Sequence, residues 1–224
     1  MLAVVATPIG NLGDITLRAL DTFREATAVI AEDTRRTRTL LSHYDIHVPL
    51  TSLPAFREEA QAEHILRKYS SEDRLVFCSD AGSPVISDPG AHLVAAALQL
   101  GHDVIPIPGP SAITAALSVA GIPLSGFTFL GFLPRRPGRA TTLLETHLAT
   151  GLPIVLYESP FRLLHLLELL SSHAKTRKVV VARELTKHFE TVYRGTAEEL
   201  HTVFLATPPK GECTIIIGGN TRDE

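Results

Sequence analysis

The sequence predicts an α/β protein made of two α/β domains, the first with a mostly parallel sheet and the second with a mixed one. Three observations carry this expectation. Short apolar runs alternate with amphipathic stretches along all 224 residues, the pattern of helices layered on sheet. The chain holds 15 Gly and 15 Pro, many of them in tight loops after apolar runs, where α/β proteins shape ligand sites. In the second half the strand-like runs follow one another with less helix between them, which favours a mixed sheet.

Leu2–Ala6 reads as a first strand, and Thr16–Ala26 as a helix with Leu17, Leu20 and Phe23 at helical spacing. Thr27–Ala31 predicts a second strand and Thr34–Tyr44 a basic helix. Arg57–Tyr69 predicts an amphipathic helix, Arg74–Cys78 a third, buried strand, and Gly90–Leu100 a helix rich in Ala and Leu. Asp103–Ile107 follows as a fourth strand and Ser111–Ala120 as a helix of small residues. Beyond it, strands are expected at Phe127–Leu130, Pro153–Tyr157, Lys178–Ala182, Glu190–Arg194 and Cys213–Ile217. Helices are expected at Ala140–Ala149, Phe161–Ser172 and Ala197–Phe204. Gly121, Pro123 and Gly126 interrupt the pattern, so the domains are expected at 1–120 and 121–224. Their facing surfaces would form a ligand-binding cleft.

Hydrophobic residues make up 45% of the chain and charged residues 20%, ordinary for a soluble enzyme. The net charge of -3 gives no bulk attraction to nucleic acid, so any RNA contact must rest on local basic clusters. Cys78 and Cys213 sit in apolar runs and read as reduced core thiols. The chain enters its first strand without a basic leader, and no apolar stretch approaches the roughly 18 residues of a bilayer span. A cytoplasmic protein without membrane contact is expected. No G-x-G-x-x-G, G-x-x-x-x-G-K-[ST], H-E-x-x-H or C-x-x-C occurs, and the 10 histidines are scattered. Dinucleotide fingerprints, phosphate-cradling NTPase loops and zinc sites are thereby disfavoured, and no metal is expected. Ser159 lacks the flanking glycines of a nucleophile elbow.

Three loops follow three predicted parallel strands, and ligands of open parallel sheets bind beyond the carboxyl ends of strands. In Thr7-Pro8-Ile9-Gly10-Asn11-Leu12-Gly13-Asp14 the glycines allow close backbone approach, although a plain strand-to-helix turn explains them too. The run from Ser79 to Gly90 is too long for a simple connection. In it Asp80 suits a ligand amine or ribose, Ser83 and the Gly82 amide suit another polar edge, and Asp88 suits the cap of the next helix. Pro106–Ala112 brings Ser111 to the start of a helix as a cap. The basic segments are Glu32–Arg38, Pro134–Arg139 and Arg183–Lys187. In the first, Asp33 or Thr34 suits the helix cap, and Arg35, Arg36 and Arg38 suit phosphates. A solvated helix face explains Arg36 and Arg38 equally well. The second reads as a mobile basic loop.

The segments Ala6–Thr16, Ala31–Arg35, Ser79–Pro84, Pro108–Ala112, Gly131–Pro134, Tyr157–Pro160, Ala182–Lys187 and Lys210–Glu212 occur in an order that resembles the tetrapyrrole methylase superfamily. Within it they resemble the branch that methylates a cytidine 2'-hydroxyl of 16S ribosomal RNA. The resemblance covers nearly the whole chain. It implies a two-domain fold with S-adenosylmethionine in the cleft between the domains, a homodimer, and a decoding-region cytidine of the small ribosomal subunit as substrate. It implies cofactor contacts at Pro8, Asp80, Gly82, Ser83, Ser111, Ala112, Tyr157 and Leu185. Two departures stand out. Such enzymes usually carry a His-Asn/Glu element after Leu53, where this chain has Pro54-Ala55-Phe56-Arg57-Glu58-Glu59. Many also carry a small helical tail after Gly218-Gly219, and any grip on RNA supplied by such a tail is expected here from elsewhere.

A ribose hydroxyl attacks a sulfonium methyl well only when its proton is accepted. Glu32, Asp33 and Glu158 each end a predicted strand and are the candidate acceptors, Glu32 and Glu158 foremost. Arg35, Arg162 and Lys187 are candidates for holding phosphates, with Arg135, Arg136 and Arg139 as a further RNA-binding cluster. Two other readings remain open: a precorrin C-methyltransferase of the same superfamily, and a ribosome-assembly module that binds RNA without catalysis.

Overall fold

The computed structural model describes residues 1–220, and the chain divides into two compact units, Met1–Ser111 and Ala112–Glu224. In the first, β1 (Leu2–Val5), α1 (Leu17–Arg24), β2 (Ala28–Ala31), α2 (Thr34–His43), β3 (Leu50–Ser52), α3 (Glu58–Leu66), β4 (Leu75–Cys78), α4 (Ala91–Gln99) and β5 (Val104–Ile107) follow in order. The strands form one all-parallel sheet in the order β3-β2-β4-β1-β5. Alternate side chains of each strand point to opposite faces, and both faces are covered. Ala3, Val5, Val29, Val76 and Cys78 pack with Leu20 and Phe23 of α1 and Leu41 of α2. Leu2, Ile30, Leu75 and Phe77 pack with Ile65 and Leu66 of α3 and Leu93 and Ala97 of α4. This double burial explains why the inner strands β1, β2 and β4 read as continuous apolar runs.

The second unit holds α5 (Ala112–Ala120), β6 (Thr128–Phe132), α6 (Pro137–Leu148), β7 (Ile154–Glu158), α7 (Pro160–His173), β8 (Val179–Arg183), β9 (Thr191–Gly195), α8 (Ala197–Ala206) and β10 (Cys213–Ile217). Its sheet is mixed, in the order β6-β7-β10-β8-β9. Only β6 and β7 run parallel; β10 lies antiparallel to β7 and β8, and β8 antiparallel to β9. One face buries α6, α7 and α8 through Leu144, Leu163, Leu167, Leu200 and Phe204. The other buries Ile113, Ala116 and Ala120 of α5 against Val155, Val180 and Ile216. That packing draws α5 into the second unit, so the division falls at Ser111/Ala112 rather than after Ala120.

Several local expectations change. The third predicted strand is β4; β3, a three-residue edge strand with partly buried and exposed side chains, lacks the apolar run that marks the others. The expected mobile loop Pro134–Arg139 ends early: Pro137 opens α6, with Arg139 in its first turn. Proline is tolerated there because its missing N–H has no partner in a first turn. Asp88 does not cap α4; Gly90 occupies that position at φ +134, without a side-chain bond. Among the described residues, no helix is long and apolar enough to cross a membrane.

Candidate active site

In the first unit, α1 leaves β1 on one face of the sheet and α4 leaves the neighbouring β4 on the other. Ligands of open parallel sheets bind at such reversals. The loops there are tied together. Thr7 N–H donates to Gly82 O and Gly82 N–H to Thr7 O, each at 2.9 Å. The Ser83 hydroxyl donates to Pro110 O at 3.3 Å. The loops after β1, β4 and β5 are thus one cross-braced body carrying Pro8, Asp80, Gly82, Ser83 and Ser111. Gly82 sits at φ +77, and a Cβ on it would lie 3.3 Å from Ile9 Cγ2, so glycine is required. Its amide is spent on Thr7, a correction to the expectation that it faces a ligand.

Carboxylates gather where β2 and β4 end side by side. Asp80 Oδ1 accepts the Asp33 N–H at 3.1 Å, and Arg36 Nε lies 3.4 Å from Asp80 Oδ2. The Asp80 N–H in turn donates to Glu32 Oε2 at 3.4 Å. Burial, followed by repulsion from Asp80 and Asp88, pushes the Glu32 carboxyl above the ordinary glutamate range. Asp33 is treated in the opposite way. Its Oδ1 accepts the Arg35 N–H at 2.9 Å as the cap of α2, and the Arg35 guanidinium grips both its oxygens at 3.0 and 2.6 Å. Those bonds hold Asp33 far below the usual carboxylate range, which makes it a poor proton acceptor. The same pairing occupies Arg35. Arg36, for which a solvated face was an equal reading, steadies Asp80; this was not legible without knowing that β2 and β4 are neighbours.

In the second unit Tyr157 lies on β7 with its ring 5.1 Å from Phe129 and 5.6 Å from Phe132. The next residue, Glu158, has a side chain only 1% exposed. It accepts the Ser159 N–H at 2.7 Å and lies 3.3 Å from Arg162. Burial raises its carboxyl above the ordinary value, against the pull of Ser159 and Arg162. So deep a carboxylate suits positioning better than proton transfer. Arg162 also donates to Leu133 O at 3.1 Å and Pro134 O at 3.3 Å, and Lys187 bridges Glu184 at 2.9 Å and Glu212 at 2.8 Å. Both cations, expected to hold phosphates, instead brace loops. Leu185 packs against the α5 face, between Glu184 and Thr186 at φ +52 and +64. Arg135, Arg136 and Arg139 are exposed. The described residues contain no cluster of His, Cys, Asp and Glu suited to a metal ion.

Comparison with known proteins agrees with this architecture. The family model of tetrapyrrole (corrin/porphyrin) methylases matches residues 1–201. The chain is 48% identical to the ribosomal RNA small subunit methyltransferase I of Xylella fastidiosa strain Temecula1, over 97% of this chain and 81% of that protein. It is 43% identical to the protein of the same name from Thermotoga maritima, over 97% of this chain and 98% of the relative. Among solved structures, the methyltransferase CobJ superposes with a TM-score of 0.71 at 19% identity, covering 97% of this chain and 93% of that one. The cobalt precorrin-4 methyltransferase CbiF gives a TM-score of 0.71 at 16% identity, covering 97% and 94%. At such identities the structures speak for the fold, and the relatives and the family match settle the lineage: the chain belongs to the tetrapyrrole (corrin/porphyrin) methylase family.

Proposed function

We propose that this protein transfers the methyl group of S-adenosylmethionine to the ribose 2'-hydroxyl of a cytidine in the decoding region of 16S ribosomal RNA. The observation that carries the reading is the carboxylate group at the ends of β2 and β4, in a chain whose near-full-length relatives are named small-subunit ribosomal RNA methyltransferases. Glu32, Asp80 and Asp88 make these strand ends acidic, which suits a ligand bearing sulfonium and ammonium charges and disfavours a pyrophosphate. Asp80, held by Arg36 and the Asp33 amide, suits the donor's amine or ribose, and the braced backbone at Pro8, Gly82, Ser83 and Ser111 lines its path. Ala112, Tyr157 and Leu185 are the proposed contacts of the second unit.

S-adenosylmethionine supplies a methyl group on a sulfonium whose leaving group is neutral. The chain must therefore align the hydroxyl for in-line attack, with a gain of several kcal/mol from proximity, and accept its proton. Glu32 is the proposed acceptor: as the hydroxyl oxygen bonds to the methyl carbon and the C–S electron pair stays on sulfur, the proton passes to Glu32 Oε. Its raised basicity fits that role better than the clamped Asp33 or the buried Glu158.

The test is transfer of labelled methyl groups to purified small ribosomal subunits, with the modified nucleotides mapped. The wild type is expected to add a 2'-O-methyl to a cytidine, and Glu32→Gln to lower the rate about a hundredfold with donor binding retained. Methylation of a tetrapyrrole but not of RNA would overturn the proposal, as would a wild-type rate in Glu32→Gln for the role of that residue.

A further inference from the structure

Phe161, the second residue of α7, is 96% exposed, and Phe132, at the end of β6, 60%. No other large apolar side chain among the described residues is as exposed as Phe161. Arg162 fixes their surroundings: its guanidinium donates to Leu133 O and Pro134 O. The start of α7 is thereby fastened to the segment that carries Phe132 and leads into Arg135, Arg136 and Arg139. These three arginines are exposed and make no ion pair among the described residues, unlike Arg35, Arg162 and Lys187. Arg136 is the N-cap of α6 without a side-chain bond, and the first turn of α6 holds no acidic residue. Its free amides and dipole add to the positive field of the arginines.

We propose that this edge of the second unit is a platform for single-stranded RNA, on which an unstacked base lies against Phe161 while the phosphates follow Arg135, Arg136 and Arg139. The inference rests on the RNA reading above and adds which surface takes the strand. Exposed aromatic rings beside unpaired cations are what single strands need: every base has a face to stack, and each phosphate finds a charge. A-form duplex hides its base faces and cannot use the ring in this way.

The test measures binding of a single-stranded oligoribonucleotide of decoding-region sequence, and of its duplex, across a salt series. The wild type is expected to prefer the single strand. Phe161→Leu keeps apolar bulk but not the aromatic face, and is expected to weaken single-strand binding about tenfold with an unchanged salt dependence. Phe161→Trp restores it. Arg136→Gln is expected to reduce the logarithmic salt slope by about 0.7, one phosphate contact on a single strand. Calorimetric titration with S-adenosylmethionine is expected to be unaltered in all three variants. If the wild type methylates RNA and the variants bind it with wild-type affinity, the platform is overturned while the proposed function stands. If Phe161→Leu instead changes the sedimentation of the protein with RNA affinity intact, the ring belongs to a contact between copies and the platform is likewise overturned. A wild type that neither binds nor methylates RNA removes both readings.

Discussion

Glu32 and Asp33 are neighbours in sequence, yet the fold drives their carboxyls in opposite directions, one toward protonation by burial and Asp80, the other toward permanent charge by Arg35. The sequence marks both as strand-end acids; it does not show that Glu32 becomes buried and comes to lie beside Asp80, 48 residues away along the chain. For catalysis, Glu32 must be ionised to accept a proton. The acid limb of the methyl-transfer rate is therefore expected to rise with pH through a midpoint above the ordinary 4.5, and Glu32→Gln is expected to abolish that limb. For stability the sign is reversed. A carboxyl whose folded value is raised contributes stability below its unfolded value and loses it as pH rises through the folded one. Glu32→Gln is thus expected to leave the Tm at pH 7 unchanged or higher, measured by calorimetry. A clear fall in Tm alongside lost activity would recast Glu32 as a scaffold residue. Asp33→Asn, which keeps an acceptor for the Arg35 amide, is expected to retain most activity in the same assay.

At the scale of elements, helix signals near their own caps were readable. Thr196 and Glu199 form a capping box that opens α8, and Ser159-Pro160 opens α7. The start of α6 is hidden in the sequence because Pro137 and Gly138 look like loop punctuation, although proline at a first helical position is also a start signal. What sequence could not offer was the clamp between elements. Arg162 joins α7 to the carbonyls after β6 while pairing with buried Glu158. Arg162→Leu would take that donor from the two carbonyls and leave the carboxylate with the Ser159 N–H but without its cation. The expected cost is about 1–3 kcal/mol of folding stability, read from denaturant midpoints. Glu158→Gln alone should cost less, and the double variant less than the two single costs together, since the groups share one network. Strict additivity would mean that Arg162 and Glu158 are not coupled.

For the molecule as a whole, the chain order of strands was legible but their spatial order was not. Apolar runs mark β1, β2, β4 and β5 as strands; nothing in them says that β4 lies between β2 and β1, and only that arrangement brings Asp80 to Glu32 and Gly82 to Thr7. The double-sided covering that makes these strands uniformly apolar also gives each unit one sealed thiol. Cys78 on β4 is 0% exposed and Cys213 on β10 is 3% exposed, and burial pushes their thiols up to about 12 and about 11. Alkylation needs an exposed thiolate. Burial keeps the Cys78 thiol protonated at pH 8, and a closed core denies a reagent access to it. In native buffer neither cysteine is therefore expected to react with iodoacetamide on a timescale that labels both in denatured chain. Because the two lie in different units, mass spectrometry of the labelled peptides across a denaturant series reads the opening of each core separately. Rapid labelling of Cys78 in native buffer would mean that β4 frays at the end that carries Asp80, and the braced loops of the proposed site would lose their foundation.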